Sequence, residues 1–171
     1  MKNIPSVDLN DFLSNDIDKK KAFVNKLGKA YNEIGFVALK GHFLDESDIK
    51  EVYSSIKEFF DLPEEIKEKY ELDGFDGQRG YTSFGKEHAK GKKHGDLKEF
   101  WHFGQYLDDE EYIKFNYPKN QIVTELPRFN DIGKKVFQSL EKTAIYVLRA
   151  ISLYLDLEED HFDKYVKKGN S

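Results

Sequence analysis

The sequence predicts an α+β fold that is rich in helix and poor in strand. Three observations carry this. One apolar stripe at helical spacing runs from about residue 125 to 156. Two earlier stretches also repeat apolar residues at steps of three and four, the face of an amphipathic helix. The runs that read as strands are short and amount to three or four, too few for a complete sheet.

The elements follow in order. Ile4 to Leu9 alternates and reads as a strand. Phe23, Leu27, Ala30, Tyr31 and Ile34 then lie on one helical face, and Gly35 ends that helix. Phe36-Val37-Ala38-Leu39 is a compact apolar run closed by Gly41, predicted as a buried strand. Asp45 is placed as an N-cap. Behind it Ile49, Val52, Tyr53, Ile56, Phe59 and Phe60 share a face. Pro63, followed by Glu64 and Glu65, suits the first turn of a short helix whose buried side is Ile66 and Tyr70.

The character changes at Asp73. Six of the 12 glycines fall between Gly74 and Gly95, which predicts an irregular loop or hairpin around Tyr81-Thr82-Ser83-Phe84. Lys98 to Phe103 is aromatic-rich and reads as a strand; Asn116-Tyr117-Pro118 reads as a breaker. The long helix carries Phe129, Ile132, Val136, Phe137, Leu140, Val147, Leu148, Ile151 and Leu155 on one stripe. A last short helix is expected from Glu158 to Val166, with Phe162 and Val166 inward, before a polar end.

Composition bounds the function. The chain has 171 residues, 39% of them hydrophobic and 15% aromatic, enough to build a core. Lys and Arg number 27 against 32 Asp and Glu, so the net charge is -5 and broad contact with a nucleic-acid backbone is not expected. There is no cysteine, which excludes disulfides and thiolate metal sites. No apolar h-region and no run near the roughly 20 residues of a membrane span is visible, so the expectation is a soluble cytoplasmic protein without a membrane partner.

Four constellations bear on chemistry. His94-Gly95-Asp96 has the H-x-D pattern of a non-haem iron site, with His161 as a distant third group. Its position in a Gly/Lys-rich loop favours a solvated histidine and a turn-capping aspartate. Gly74-x-x-Gly77-x-x-Gly80 lacks the strand before and helix after that a phosphate cradle needs, so it is read as loop. Lys86, His88, Lys90, Lys92, Lys93 and His94 form a basic cluster, read as a solvated loop or an anion-attracting rim, with Glu87 placed to pair within it. Last, Arg79, Tyr81, Ser83, Lys98, Glu99, Trp101 and His102 lie on two segments that converge like a small-molecule pocket wall. The competing reading keeps Tyr81 and Trp101 in the core and pairs Lys98 with Glu99 at the surface.

Several segments together resemble one family. Ile4-Pro5-Ser6-Val7-Asp8-Leu9 is similar to the opening IPxIDL of isopenicillin N synthase-like oxygenases. Gly35 to His42 resembles their GFFxVxGH strand, and Phe59-Phe60-Asp61-Leu62-Pro63 with Glu65, Lys67 and Tyr70 resembles FFxLPxExKxKY. Gly80-Tyr81 and Asp96-Leu97-Lys98-Glu99 resemble the pair GY and D-x-KE. Asn116-Tyr117-Pro118 stands at N-x-W-P, with Tyr117 in place of Trp or one residue lost. The order and spacing of these segments extend over essentially the whole chain.

The resemblance implies the N-terminal half of an iron(II)- and 2-oxoglutarate-dependent oxygenase of about twice this length, with residues 1–171 as its non-haem dioxygenase N-terminal domain. The double-stranded β-helix (jelly-roll) core that carries H-x-D…H and R-x-S would follow, and the few strands here would complete its sheet. Fe(II) and 2-oxoglutarate are implied for the full-length parent; none is expected to be bound by this chain alone, which is predicted inactive. The implied reaction hydroxylates, desaturates or cyclises a small molecule while 2-oxoglutarate becomes succinate and CO2; the isopenicillin N synthase branch omits 2-oxoglutarate. By position Arg79, Tyr81 and Ser83, with Glu87, Lys98 and Phe100, would line the substrate wall. The catalytic and metal residues would lie outside. The implied partners are the small-molecule substrate and the C-terminal core. The alternative is a stand-alone, non-catalytic binding or interaction module derived from that family.

Overall fold

The computed structural model describes residues 3–75, 77–87 and 95–166. Its elements are, in order, β1 (Ser6–Asp8), α1 (Leu9–Leu13), α2 (Ile17–Glu33), β2 (Ala38–Lys40), α3 (Glu46–Phe60), α4 (Glu64–Lys67) with a 3-10 turn at Glu68–Tyr70, β3 (Gly80–Thr82), β4 (Phe100–His102), α5 (Asp109–Phe115), α6 (Pro127–Tyr154) and α7 (Asp163–Val166). They form two compact units. Of the described residues, the first holds 3–44 and 139–166; the second holds those within Asp45–Gln138.

In the first unit β1 and β2 are parallel, with Ser6 opposite Ala38 and Val7 opposite Leu39. Helices α1 and α2 make the crossover. Asp8 caps α1 by accepting from the backbone N–H of Asn10, and Asp16 caps α2 by accepting from Asp18 and Lys19. The core joins Val7, Leu9, Phe12, Phe23, Val24 and Leu27 to Ala150 of α6. Gly35 leaves α2 in the left-handed region at φ +84°, as its predicted role requires.

Two expectations shift here. The strand predicted over 36–39 lies at Ala38–Lys40, and Phe36 is 67% exposed. Pairing with β1, and not local apolarity, sets its register. The predicted β1 also stops at Asp8, because that residue serves as the α1 cap and the chain turns helical at Leu9.

The core of the second unit is aromatic. Phe59, Tyr70, Tyr81, Val123 and Phe129 are buried together, with Trp101, Phe103 and Phe60 packed on them. Helix α3 supplies Phe59 and Phe60, the 3-10 turn Tyr70, β3 Tyr81, β4 Trp101, the segment before α6 Val123 and α6 Phe129. Asp45 does occupy the N-cap of α3, although its side chain makes no capping bond there. Tyr53, predicted inward, is 71% exposed. Helix α5 (Asp109–Phe115) has no counterpart among the predicted elements. Asp108 caps it by accepting from Glu111 at 2.8 Å, three acids occupy its first turn, and Asn116 closes it at φ 53°.

Helix α6 matches the long predicted helix and supplies residues to both units, Pro127–Gln138 to the second and Ser139–Tyr154 to the first. Leu140 and Leu155, predicted on its apolar stripe, are about half exposed. The last predicted helix shrinks to Asp163–Val166, and Val166 faces outward. Single turns from Glu158 to Phe162 precede it. Arg149 fixes this end by donating twice to Asp163, at 2.6 and 3.3 Å. Lys20 holds Glu159 at 2.8 Å.

Candidate functional site

The site is built on the β3–β4 hairpin of the second unit. The strands are antiparallel, with Gly80 opposite His102, Tyr81 opposite Trp101 and Thr82 opposite Phe100. Side chains alternate across a strand. Tyr81 and Trp101 therefore share one face and enter the aromatic core, where Trp101 lies 4.8 Å from Phe59 and Tyr81 lies 5.9 Å from it. Thr82 and Phe100 share the other face.

On that outer face a cleft of about 400 Å³ opens between the hairpin and the turn Glu71–Gly77. Glu71, Asp73, Lys86 and Glu87 supply its charged groups; Phe100, Thr82 and the backbone of Gly74 and Gly77 supply its walls. The glycines earn their positions by geometry. Gly74, Gly77 and Gly80 all have positive φ, +73 to +81°. A Cβ on Gly77 would stand 2.7 Å from the Thr82 hydroxyl. The three glycines thus form a turn that feeds β3, as the loop reading of their spacing expects.

The six sequence-predicted wall residues divide. Tyr81, Glu87 and Phe100 line the cleft; Arg79, Ser83 and Lys98 do not. Arg79 is 3% exposed, with its guanidinium lying over the α-carbon of Gly104, where a Cβ would meet it at 1.7 Å. Its Nη1 donates to the Gln78 carbonyl at 2.6 Å, and burial lowers its pKa. Ser83 contributes its backbone N–H, which donates to Glu71 at 2.7 Å. Lys98 stands at the rim, paired with Glu87 and with Asp96 and poised 5.4 Å above the Phe100 ring. The bond to Glu87 raises its pKa.

Glu71 is the carboxylate that organises the floor. Burial works to raise its pKa, but the bonds from Lys86 and from Ser83 outweigh that and hold it below the ordinary value. Lys86 rises in turn through the same bond. Glu71 carried no signal in the sequence: its partners lie 12 and 15 residues away, and no periodicity links them.

Glu99 corrects a second expectation. It does not pair with Lys98. Neighbours entering a strand point to opposite sides, and Glu99 turns inward. Its Oε2 accepts from the Tyr81 hydroxyl at 2.5 Å and from Lys67 Nζ at 2.7 Å. Lys67 also donates to the Phe60 carbonyl at 3.3 Å and lies 5.5 Å from the Tyr81 ring centre. The Tyr81 phenol is held firmly protonated by burial and by Glu99. On the far side of the hairpin the Tyr106 phenol is pushed up to about 12, first by burial.

Of the candidate ligands in the H-x-D constellation, the described residues include Asp96 and His161 only. His94 lies outside the described residues, as do His88, Lys90, Lys92 and Lys93 of the basic cluster. Asp96 belongs to the second unit, where its backbone bonds to Gly85 and Glu87 and its carboxylate meets Lys98. His161 belongs to the first, stacked edge-on to Phe162 at 5.0 Å. Among the described residues no three His, Cys, Asp or Glu side chains come together as metal ligands. No reaction step is routed through iron on the described residues. Nor is any helix among the described residues long and apolar enough to cross a membrane.

Comparison with known proteins places this geometry. Residues 4–125 match the family model described as non-haem dioxygenase in morphine synthesis N-terminal. A 1-aminocyclopropane-1-carboxylate oxidase of Dictyostelium mucoroides is 28% identical over 96% of this chain and 45% of its own length. A 2-oxoglutarate-dependent dioxygenase of Penicillium crustosum is 32% identical over 82% of this chain and 44% of its own length. Among solved structures, a 2OG-Fe(II) oxygenase family protein from Caulobacter crescentus superposes with a TM-score of 0.83 at 35% identity, covering 99% of this chain and 54% of that one. The chain spans about half the length of the relatives it matches.

Proposed function

The chain belongs to the non-haem dioxygenase N-terminal family, within the 2-oxoglutarate- and iron(II)-dependent oxygenases, and we propose that it supplies the substrate-facing, non-catalytic half of such an enzyme. The observation that carries this is the match over residues 4–125 together with the likeness of 99% of this chain to 54% of a 2OG-Fe(II) oxygenase family protein. In this reading the iron(II) and the 2-oxoglutarate are held by a C-terminal core outside these 171 residues. The jelly-roll core is also the partner that pairs with the short strands, whose edges otherwise remain open.

This chain's own contribution is binding and orientation. The cleft beside Phe100 forms part of the wall against which a small-molecule substrate rests. Tyr81 and Glu87 shape that wall, and Arg79, Ser83 and Lys98 support it from behind and from the rim. The whole enzyme then oxidises that substrate by hydroxylation, desaturation or ring closure, with 2-oxoglutarate as co-substrate.

The test compares two preparations supplied with Fe(II), ascorbate and 2-oxoglutarate, one of residues 1–171 and one of the same chain co-expressed with the core of a relative. Succinate is expected only from the second. Iron-dependent succinate formation by residues 1–171 alone would overturn the assignment of catalysis to a separate core.

A further inference from the structure

The inner face of the hairpin holds a charged pair where an aromatic core has no need of one. Lys67 is 7% exposed as a residue, and the Glu99 side chain is 17% exposed. Removing two charges from water is expensive, and apolar replacements of similar volume often leave a protein as stable or more so. A buried pair is therefore weak grounds for stability, and its use is to be sought in geometry.

Four segments meet at this pair. Lys67 ends α4, Phe60 O ends α3, Tyr81 is the centre of β3 and Glu99 enters β4. Among the described residues the hairpin has three cross-strand residue pairs, and a two-stranded ribbon of that kind does not hold its own attitude. Both strands are instead tied to one carboxylate oxygen, Glu99 Oε2, which receives Tyr81 at 2.5 Å and Lys67 at 2.7 Å. Because side chains alternate, a rotation that moves Glu99 on the inner face swings Phe100 on the outer one.

We propose that Lys67 and Glu99 are positioning residues that fix the angle of the β3–β4 hairpin, and through it the place of Phe100 and Thr82 at the cleft. Its consequence for substrate rests on the functional reading above; the positioning itself does not.

Trp101 is the only tryptophan in the chain, and it sits opposite Tyr81. Its fluorescence and near-UV circular dichroism report the hairpin directly. The variants are Glu99→Gln, Lys67→Arg, and the double replacement Lys67→Met with Glu99→Leu, which exchanges the pair for apolar groups. The double variant is expected to melt near the wild type, yet with red-shifted Trp101 emission, greater quenching by acrylamide and a diminished near-UV signal. Glu99→Gln shifts the same signals in the same direction, and Lys67→Arg retains the wild-type spectrum. Wild-type Trp101 spectra in both the double variant and Glu99→Gln overturn the proposal, whatever happens to the melting temperature.

In the intact oxygenase the double variant is expected to raise KM for the oxidised substrate on the order of tenfold, with more succinate formed per product. A shifted Trp101 signal with unchanged KM and coupling supports positioning while removing the cleft from the substrate wall, so the two readings fail separately.

Discussion

Replacing Phe59 with alanine removes the centre of the second unit's core. The ring is fully buried and touches five others: Trp101 at 4.8 Å, Phe129 at 5.1 Å, Phe60 at 5.4 Å, Tyr81 at 5.9 Å and Tyr70 at 6.3 Å. A Phe→Ala change in a packed core costs about 3–5 kcal/mol, the lost transfer energy plus the cavity. The edge-on contacts to Trp101 and Tyr81 are worth about 0.5–1.5 kcal/mol each beyond buried area, which places this site at the upper end. For a chain of this length that corresponds to a fall in melting temperature of about 6–20 °C. Urea titration followed by Trp101 fluorescence at low temperature gives the free energy, with Phe59→Leu as the milder comparison. A loss under about 1 kcal/mol, or an unchanged Trp101 environment, would refute the placement of Phe59 at the core's centre.

Gly28 packs its α-carbon on the Tyr154 ring, and an added Cβ would meet that ring at 2.1 Å. Gly28→Ala is therefore expected to lower the melting temperature, overpacking at about 1–3 kcal/mol exceeding the gain of about 1 kcal/mol in helix propensity; a rise would contradict the contact. Gly35→Ala meets open space and is strained only by its φ of +84°, so its loss should stay near 1–2 kcal/mol in a denaturant titration. Glu71 has a folded pKa below its ordinary value. Its contribution is thus present above the unfolded pKa of about 4.3 and disappears as pH falls through the depressed folded value. Thermal melts of Glu71→Gln should lie below wild type at neutral pH and converge with it in acid; parallel curves down to the acid limit contradict the bonds to Lys86 and Ser83.

The isolated helices were legible because each carries its own signal. Helix α3 follows its Asp45 cap and its three-and-four spacing, and α6 follows a stripe that no strand reproduces. The signal for α5 was equally local, Asp108 before three acids, and went unread because its buried side rests on Tyr112 alone. Of the cleft, the sequence placed part of the lining; the substrate role of that lining is the proposal above. Phe100, Tyr81 and Glu87 were placed together by position in a family pattern, and they do line one cleft. Arg79, Ser83 and Lys98 lie just outside the two strands, and contacts that spacing does not show place them: Arg79 against Gly104, the Ser83 N–H on Glu71, and Lys98 with Glu87 and Asp96.

By itself the sequence determined the helix-rich α+β character, the glycine turn at Gly74–Gly80 and the family resemblance, since propensity, caps and motif spacing act between near neighbours. Tertiary structure alone decided that β2 begins at Ala38, that α6 divides its stripe between two cores, and that Glu99 pairs with Lys67, 32 residues away, and not with the adjacent Lys98. Those outcomes depend on strand register and on which face is covered. A shift of one residue reverses every side chain of a strand, and only the packed neighbours select between the two arrangements.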